Sequence, residues 1–249
     1  MSEVLEAVPP MVFYGKTLRF NEKAHRYYLD DIPIPSVTTI LGRLHKPLLI
    51  QWAADKAIET VRALSSTDED GLLRIDPAAL ERCRKAHATI RDEAADIGKF
   101  VHAYAEARLK GERPQAPMIQ LEKNAAQAFE DWLKSQKVEP IALERRIVSE
   151  VNWYAGTCDF YGTINGRLCV LDFKTGKAVY DEYWMQTEAY ALALEEETGQ
   201  TVQDKHIIRL DKATGDFEAV CRPCTQQHRT AWIYLAHLDR ALRTFKDVA

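Results

Sequence analysis

The dipeptide Asn165-Gly166, inside the stretch TCDFYGTINGRLCVLDFK (157–174), constrains the fold more than any other feature. Apolar and aromatic residues fill both arms, and Asn-Gly between two such runs favours a two-residue hairpin turn of type I′. That turn pairs Ile164 with Arg167. Counting outward, Asp159 falls opposite Asp172, at a non-hydrogen-bonded position where Cα atoms lie about 4.5 Å apart. Lys174 is two residues further on and points to the same face.

Two like charges facing each other across a sheet repel. Burial adds to the conflict, so one carboxylate must protonate or find a cation. A hard divalent cation resolves it, because Mg²⁺ takes carboxylate oxygens and often binds a substrate phosphate as well. The adjacent lysine can position a water or stabilise charge on a phosphoryl oxygen. The plainer alternative is a solvated hairpin end, for which a lone Asp-x-Lys is common. A bulge at Gly162 would break the count.

Elsewhere the chain reads as mixed α/β: helices first, then a sheet with helices packed on it. A hairpin is expected over 18–34, after which Ser36 caps a helix starting at Val37. Residues 48–64, 78–110 and 119–136 read as helices, the last with a stripe of Leu121, Ala125, Phe129 and Trp132. IALERRIV (141–148) is a strand, and YDEYWMQTEAYALALEEE (180–197) a helix. KHIIRL (205–210) and DFEAV (216–220) are strands. A last helix from Thr225 to Phe245 carries a stripe of Trp232, Leu235, Leu238, Leu242 and Phe245.

The length of 249 residues fits a single domain, 1–249. Its stretches are an N-terminal hairpin and helix start (1–45), a helical layer (46–137), the sheet core (138–222) and a C-terminal helix (223–249). Five cysteines without scaffold spacing point to a reducing, cytoplasmic compartment. No apolar run is long enough for a membrane span, and MSEVLEAVPP is no targeting signal. A net charge of −4 gives no global pull on nucleic acid, but a local basic groove from 82–87, 144–146 or 239–246 remains compatible with it.

AGTCDFYG, LCVLDFKTGK and YWMQTEAYALAL together resemble the PD-(D/E)XK nuclease superfamily in its RecB-like exonuclease branch. YYLDDIPIPSVTTIL is similar to the N-terminal segment of phage members and of mitochondrial genome maintenance exonucleases. The resemblance covers about residues 95–195 and implies a restriction-endonuclease-like core, a mixed central sheet flanked by helices. It implies an Mg²⁺- or Mn²⁺-dependent DNA exonuclease acting on ends or single strands, with a role in recombination, repair, replication or phage DNA processing. A helicase or recombination partner would be in keeping with that role. The family's proline before the first acid is replaced here by Gly156-Thr157-Cys158.

Carried over residue by residue, Asp159, Asp172 and Lys174 are catalytic, with Gln186 and Tyr190 on the following helix. His102, shortly after Gly98, is the branch's metal-binding histidine, joined by the Phe173 carbonyl and by Glu144. Glu150 competes with Glu144, and Glu106, one turn after His102, either orients it or faces solvent. A lone helical histidine is more often structural, and an aromatic stripe more often core. Nucleic-acid contacts fall to Ser36, Thr38, Arg146, Thr175 and Tyr183, with Thr39 and Arg145 as lesser candidates. Tyr27, Tyr28 and Trp52 suit base stacking or the core. Cys221 and Cys224, with Cys83 far upstream, fall short of the four thiolates of an iron–sulfur cluster, so no cluster and no zinc are expected. The alternatives are an endonuclease on the same core, or an inactive nucleic-acid- or partner-binding module.

Overall fold

Asn165 (φ 51°) and Gly166 (φ 81°) both adopt the left-handed backbone that a type I′ turn requires. They join β8 (Tyr154–Ile164) to β9 (Arg167–Lys174), paired from Ile164–Arg167 through Phe160–Leu171. The structure is a computed structural model that describes residues 11–245. The MSEVLEAVPP stretch and Lys246 lie outside the described residues.

β7 (Val138–Ser149) pairs antiparallel with the other edge of β8. The irregularity lies in β7, between Pro140 and Ala142, and not at Gly162. Gly162 faces it because a Cβ there would lie 2.4 Å from the Glu139 carbonyl oxygen. The β8–β9 count is therefore undisturbed. On the far side of β9, β10 (Asp204–Leu210) runs parallel and β11 (Phe217–Pro223) closes the sheet, in the order β11-β10-β9-β8-β7.

A parallel β9–β10 pair needs a crossover, and α5 (Asp181–Thr198) supplies it. Gly199 (φ 69°) ends α5 in a left-handed cap whose N–H bonds the Glu195 carbonyl. α5 packs on the sheet with α1 (Val37–Leu41) and α6 (Gln226–Thr244), burying Ile40, Tyr161, Val170, Leu194 and Trp232 in one core. Each such side chain contributes about 1.5–3 kcal/mol on burial. Phe173 points to the other face, where Phe129 and Trp132 of α4 (Gln120–Ser135) meet it at 5.5 and 5.6 Å between centroids.

The N-terminal hairpin is in fact a four-stranded sheet of β1 (Met11–Phe13), β2 (Lys16–Asn21), β3 (Arg26–Leu29) and β4 (Ile32–Ile34). Leu18, Leu29 and Ile34 seat it on Val148 and Ala155. Two long helices follow, α2 (Pro47–Leu64) and α3 (Pro77–Leu109), with a two-stranded ribbon, β5 (Ser66–Thr67) and β6 (Leu73–Arg74), between them. The chain forms two compact units, Leu44–Phe100 and the residues on either side of it.

Two expected core stripes need correction. In α6, Trp232 and Leu235 are buried, but Leu238 and Phe245 are exposed. The inward position goes to Asp239, fully buried because Arg43 and Arg243 neutralise it. Leu121 is exposed at the start of α4, and Ile141 is exposed as the extra residue of the β7 bulge.

Candidate active site

The β8–β9 ladder ends at Phe160–Leu171, one step short of the two acids. There the Phe173 N–H donates to Asp159 Oδ2 at 2.8 Å, so a side chain takes the acceptor place that the partner strand leaves open. Asp159 and Asp172 are both buried. Burial and the neighbouring Asp159 carboxylate push the Asp172 carboxyl up to about 6, against the pull of Lys174. Asp172 ion-pairs with Lys174, yet its Oδ2 has no hydrogen bond of good geometry.

Lys174 is the head of a short relay. Its ammonium donates to Gln186 Oε1 at 3.1 Å, and Gln186 Nε2 donates to the Tyr190 hydroxyl oxygen at 2.6 Å. Gln186 and Tyr190 are one turn apart on α5, which brings them to the same helix face. The Tyr183 ring lies beneath the ammonium, 4.7 Å from Nζ, a cation–π contact. Burial opposes the charge on Lys174, but Asp172 and Asp159 outweigh it and hold its pKa above the ordinary lysine value. Burial also drives the Tyr190 phenol far up, so it keeps its proton.

On the other side of Asp159 stand His102 of α3 and Glu144 of β7. His102 Nδ1 is 3.2 Å from Asp159 Oδ2 and 3.7 Å from Glu144 Oε1. The three residues offer ligand atoms all within 4.8 Å of one another. Burial disfavours a charged His102, but the two carboxylates prevail and raise its pKa well above the usual value. Burial likewise raises Glu144, with Asp159 adding to it and His102 opposing.

Glu144 is held in a strained conformation. Its φ is +44°, a left-handed value that few non-glycine residues adopt and that costs on the order of 1–3 kcal/mol. The ladder pairs Leu143 with Phe160 and Arg145 with Cys158, so Glu144 stands opposite Asp159 but outside the strand bonding. Nothing in the local pattern of IALERRIV signals this twist, because alternation reports which face a residue takes and not the sign of φ.

Next to Glu144 and Tyr190 opens a cavity of about 280 Å³, also lined by Phe20, His25, Tyr27, Ser36, Thr38 and Thr157. Ser36 and Thr38 reach it, but Ser36 is engaged as the α1 cap, accepting from the Thr39 N–H at 3.0 Å. Tyr27 is buried and bonds Thr157 Oγ1 at 2.8 Å, so it is a wall and not a stacking platform. Tyr28 is covered by the Arg19 guanidinium. Trp52 lies in the Leu44–Phe100 unit.

Several charged candidates have partners elsewhere. Arg145 pairs with Glu197, Glu150 with Lys16, and Glu106 with Lys110, so Glu106 does not orient His102. Arg84 and Lys85 pair with Glu81, and Arg243 with Asp239. Arg146 lies against the Phe20 ring at 6.0 Å. Thr175 follows Lys174 and is partly exposed.

No family model matches the chain, and no curated protein does. Among solved structures, a candidate exonuclease from Eubacterium rectale aligns at 17% identity and a TM-score of 0.41, over 60% of this chain and 66% of its own. An alkaline exonuclease from Laribacter hongkongensis aligns at 10% identity and a TM-score of 0.30, over 80% of this chain and 100% of its own. The chain thus spans about two thirds of the first of these and the whole of the second, at similarities too low to assign it to a family.

Proposed function

We propose that the protein is a metal-dependent nuclease, an exonuclease hydrolysing phosphodiester bonds at DNA ends or in single strands, on a PD-(D/E)XK-type site. The observation that carries this reading is the arrangement around Asp159: a His102–Glu144–Asp159 ligand set on one side and the Asp172–Lys174–Gln186–Tyr190 chain on the other. The donor set fits Mg²⁺ or Mn²⁺, since it offers carboxylate oxygens and one imidazole nitrogen, and the buried Asp172 Oδ2 is met by the Lys174 ammonium without a hydrogen bond of good geometry. Asp159, Asp172 and Glu144 would hold the ion with His102, and the Phe173 carbonyl is a further candidate. Such an ion supplies charge neutralisation on the phosphate and a more acidic attacking water.

The chain's own residues do the rest. Lys174 holds the attacking water or a phosphoryl oxygen by donating from its ammonium. Gln186 fixes Lys174 by accepting from it, and Tyr190 fixes Gln186 by accepting in turn. The proton of Tyr190 is then free to donate to phosphate. Ser36 and Thr38, which line the cavity beside Glu144 and Tyr190, would contact the strand, with Arg146, Thr175 and Tyr183 as further contacts. The pocket beside the acids suits one unpaired nucleotide better than a duplex, which favours ends or single strands.

Purified protein should degrade end-labelled single- or double-stranded DNA with Mg²⁺ or Mn²⁺ and spare a circular single strand. Asp172→Ala should abolish the activity. If no DNA or RNA is degraded with either metal, or if Asp172→Ala stays as active as the wild type, the reading is wrong. Cutting of the circle would point to an endonuclease.

A further inference from the structure

A second ligand set occupies the opposite face of the sheet. β10 and β11 pair with His206 directly across from Cys221, and Asp204 precedes His206 by two residues, so all three side chains share one face. In the parallel ladder His206 neighbours Leu171, while Asp172 points the other way. The ligand atoms of Asp204, His206 and Cys221 all lie within 4.8 Å of one another. They line a cavity of about 410 Å³ with Trp132, Gln136 and Arg167.

We propose that Asp204, His206 and Cys221 form a binding site for a thiophilic divalent cation of the zinc class, with its fourth position open to the cavity. One sulfur, one imidazole nitrogen and one carboxylate oxygen select such an ion over Mg²⁺. Metal–ligand bonds of about 2.0–2.3 Å place tetrahedral ligands roughly 3.5 Å apart, so modest side-chain rotation closes the set. Among the described residues the His206 ring has no hydrogen-bond partner, which leaves its lone pair uncommitted. Cys221 is exposed and unpaired to any other sulfur.

Asp204 is the contested ligand. It is buried and accepts from Arg167 through both Nε and Nη2. The Arg167 side chain is itself 56% exposed, so solvent screens its hold, and one carboxylate oxygen can turn to a metal. On binding, the Cys221 thiol gives its proton to solvent and the thiolate bonds the ion. The bound ion clamps β11, the edge strand, to β10.

The test is a Co²⁺ titration of the full chain, read by thiolate-to-cobalt charge-transfer absorption. The His102–Glu144–Asp159 set contains no sulfur, so the signal is silent to it and independent of the proposed nuclease activity. One equivalent should give the band, and excess Zn²⁺ should bleach it. Cys221→Ser should remove it, His206→Ala should weaken binding at least tenfold, and Cys224→Ser should leave it intact. Arg167→Gln should tighten binding by at least about twofold, because it frees both Asp204 oxygens from the guanidinium. Absence of the band in the wild type, its persistence in Cys221→Ser, or its loss in Cys224→Ser overturns the proposal. Cys221 is exposed, so its serine variant keeps the fold, which the circular dichroism spectrum checks.

Discussion

Replacing Lys205 with Met strips the cation from the most deeply buried ion pair among the described residues. Lys205 and Glu188 are both fully buried and in contact. The Lys205 ammonium also meets His228 Nδ1 at 3.2 Å. Arg229 contacts Glu188 at 3.3 Å and Glu195 at 2.8 Å. Removing one partner of a buried pair costs about 3–5 kcal/mol, because it leaves the other charge without solvent or counter-ion. Arg229 remains beside Glu188, so the expected loss for Lys205→Met is near the lower end, about 3 kcal/mol. That is roughly a hundredfold in the folding equilibrium.

The pair also bears on the proposed site, since Glu188 lies two residues beyond Gln186 and anchors α5 to β10. Lys205→Met should therefore loosen the Gln186–Lys174 bond and lower activity more than the folded fraction accounts for. Urea denaturation of Lys205→Met, Glu188→Gln and the double variant gives the coupling directly. The double variant should recover to within about 1 kcal/mol of the wild type, since removing both charges of a buried pair is nearly neutral. A single variant that loses less than 1 kcal/mol, or a double variant as weak as the two losses together, refutes the reasoning.

Other expectations are simpler to state. Gly162→Ala should destabilise by at least 1–3 kcal/mol in thermal denaturation, because the added Cβ meets backbone atoms at 2.4 and 2.9 Å that have no room to move. Gln186→Leu should lower kcat about 10- to 100-fold with little change in KM, since it removes the acceptor that positions Lys174 and leaves the approach intact; an unchanged kcat would sink that role. For Asp172→Asn in EDTA, the sign follows from a folded-state carboxyl held at about 6, above the ordinary value of 3.8. Asp172 contributes stability below about pH 4 and loses it as pH rises through about 6, whereas Asn keeps it. The stability of the variant relative to the wild type should thus grow by about 2–3 kcal/mol between pH 4 and 7. A flat difference across that range contradicts it.

Much of the architecture was readable along the chain, where short-range chemistry decides. Asn165-Gly166 set the turn type and with it the β8–β9 register, because both residues accept a positive φ at little cost. Ser36 marked the start of α1 through its own hydroxyl. Helix and strand periods located the longer elements but not the short strands β1, β5 and β6, and the four-residue spacing of Gln186 and Tyr190 placed them on one face. The failures lie where a partner far along the chain changes the local rule. Leu238 belongs to the expected core stripe, yet the inward position goes to Asp239, because Arg43 neutralises the acid.

The sequence alone thus determined the hairpin, the acids it carries and the helix that faces them, since each follows from backbone preference and periodicity within one stretch. Tertiary structure decided what could not be counted out locally. It twisted Glu144 toward Asp159, brought His102 from another helix, committed Arg145 and Glu150 to other partners, and set His206 beside Cys221. Those outcomes depend on which strands and helices meet, and a charge or a ligand takes its chemistry from the neighbour that packing provides.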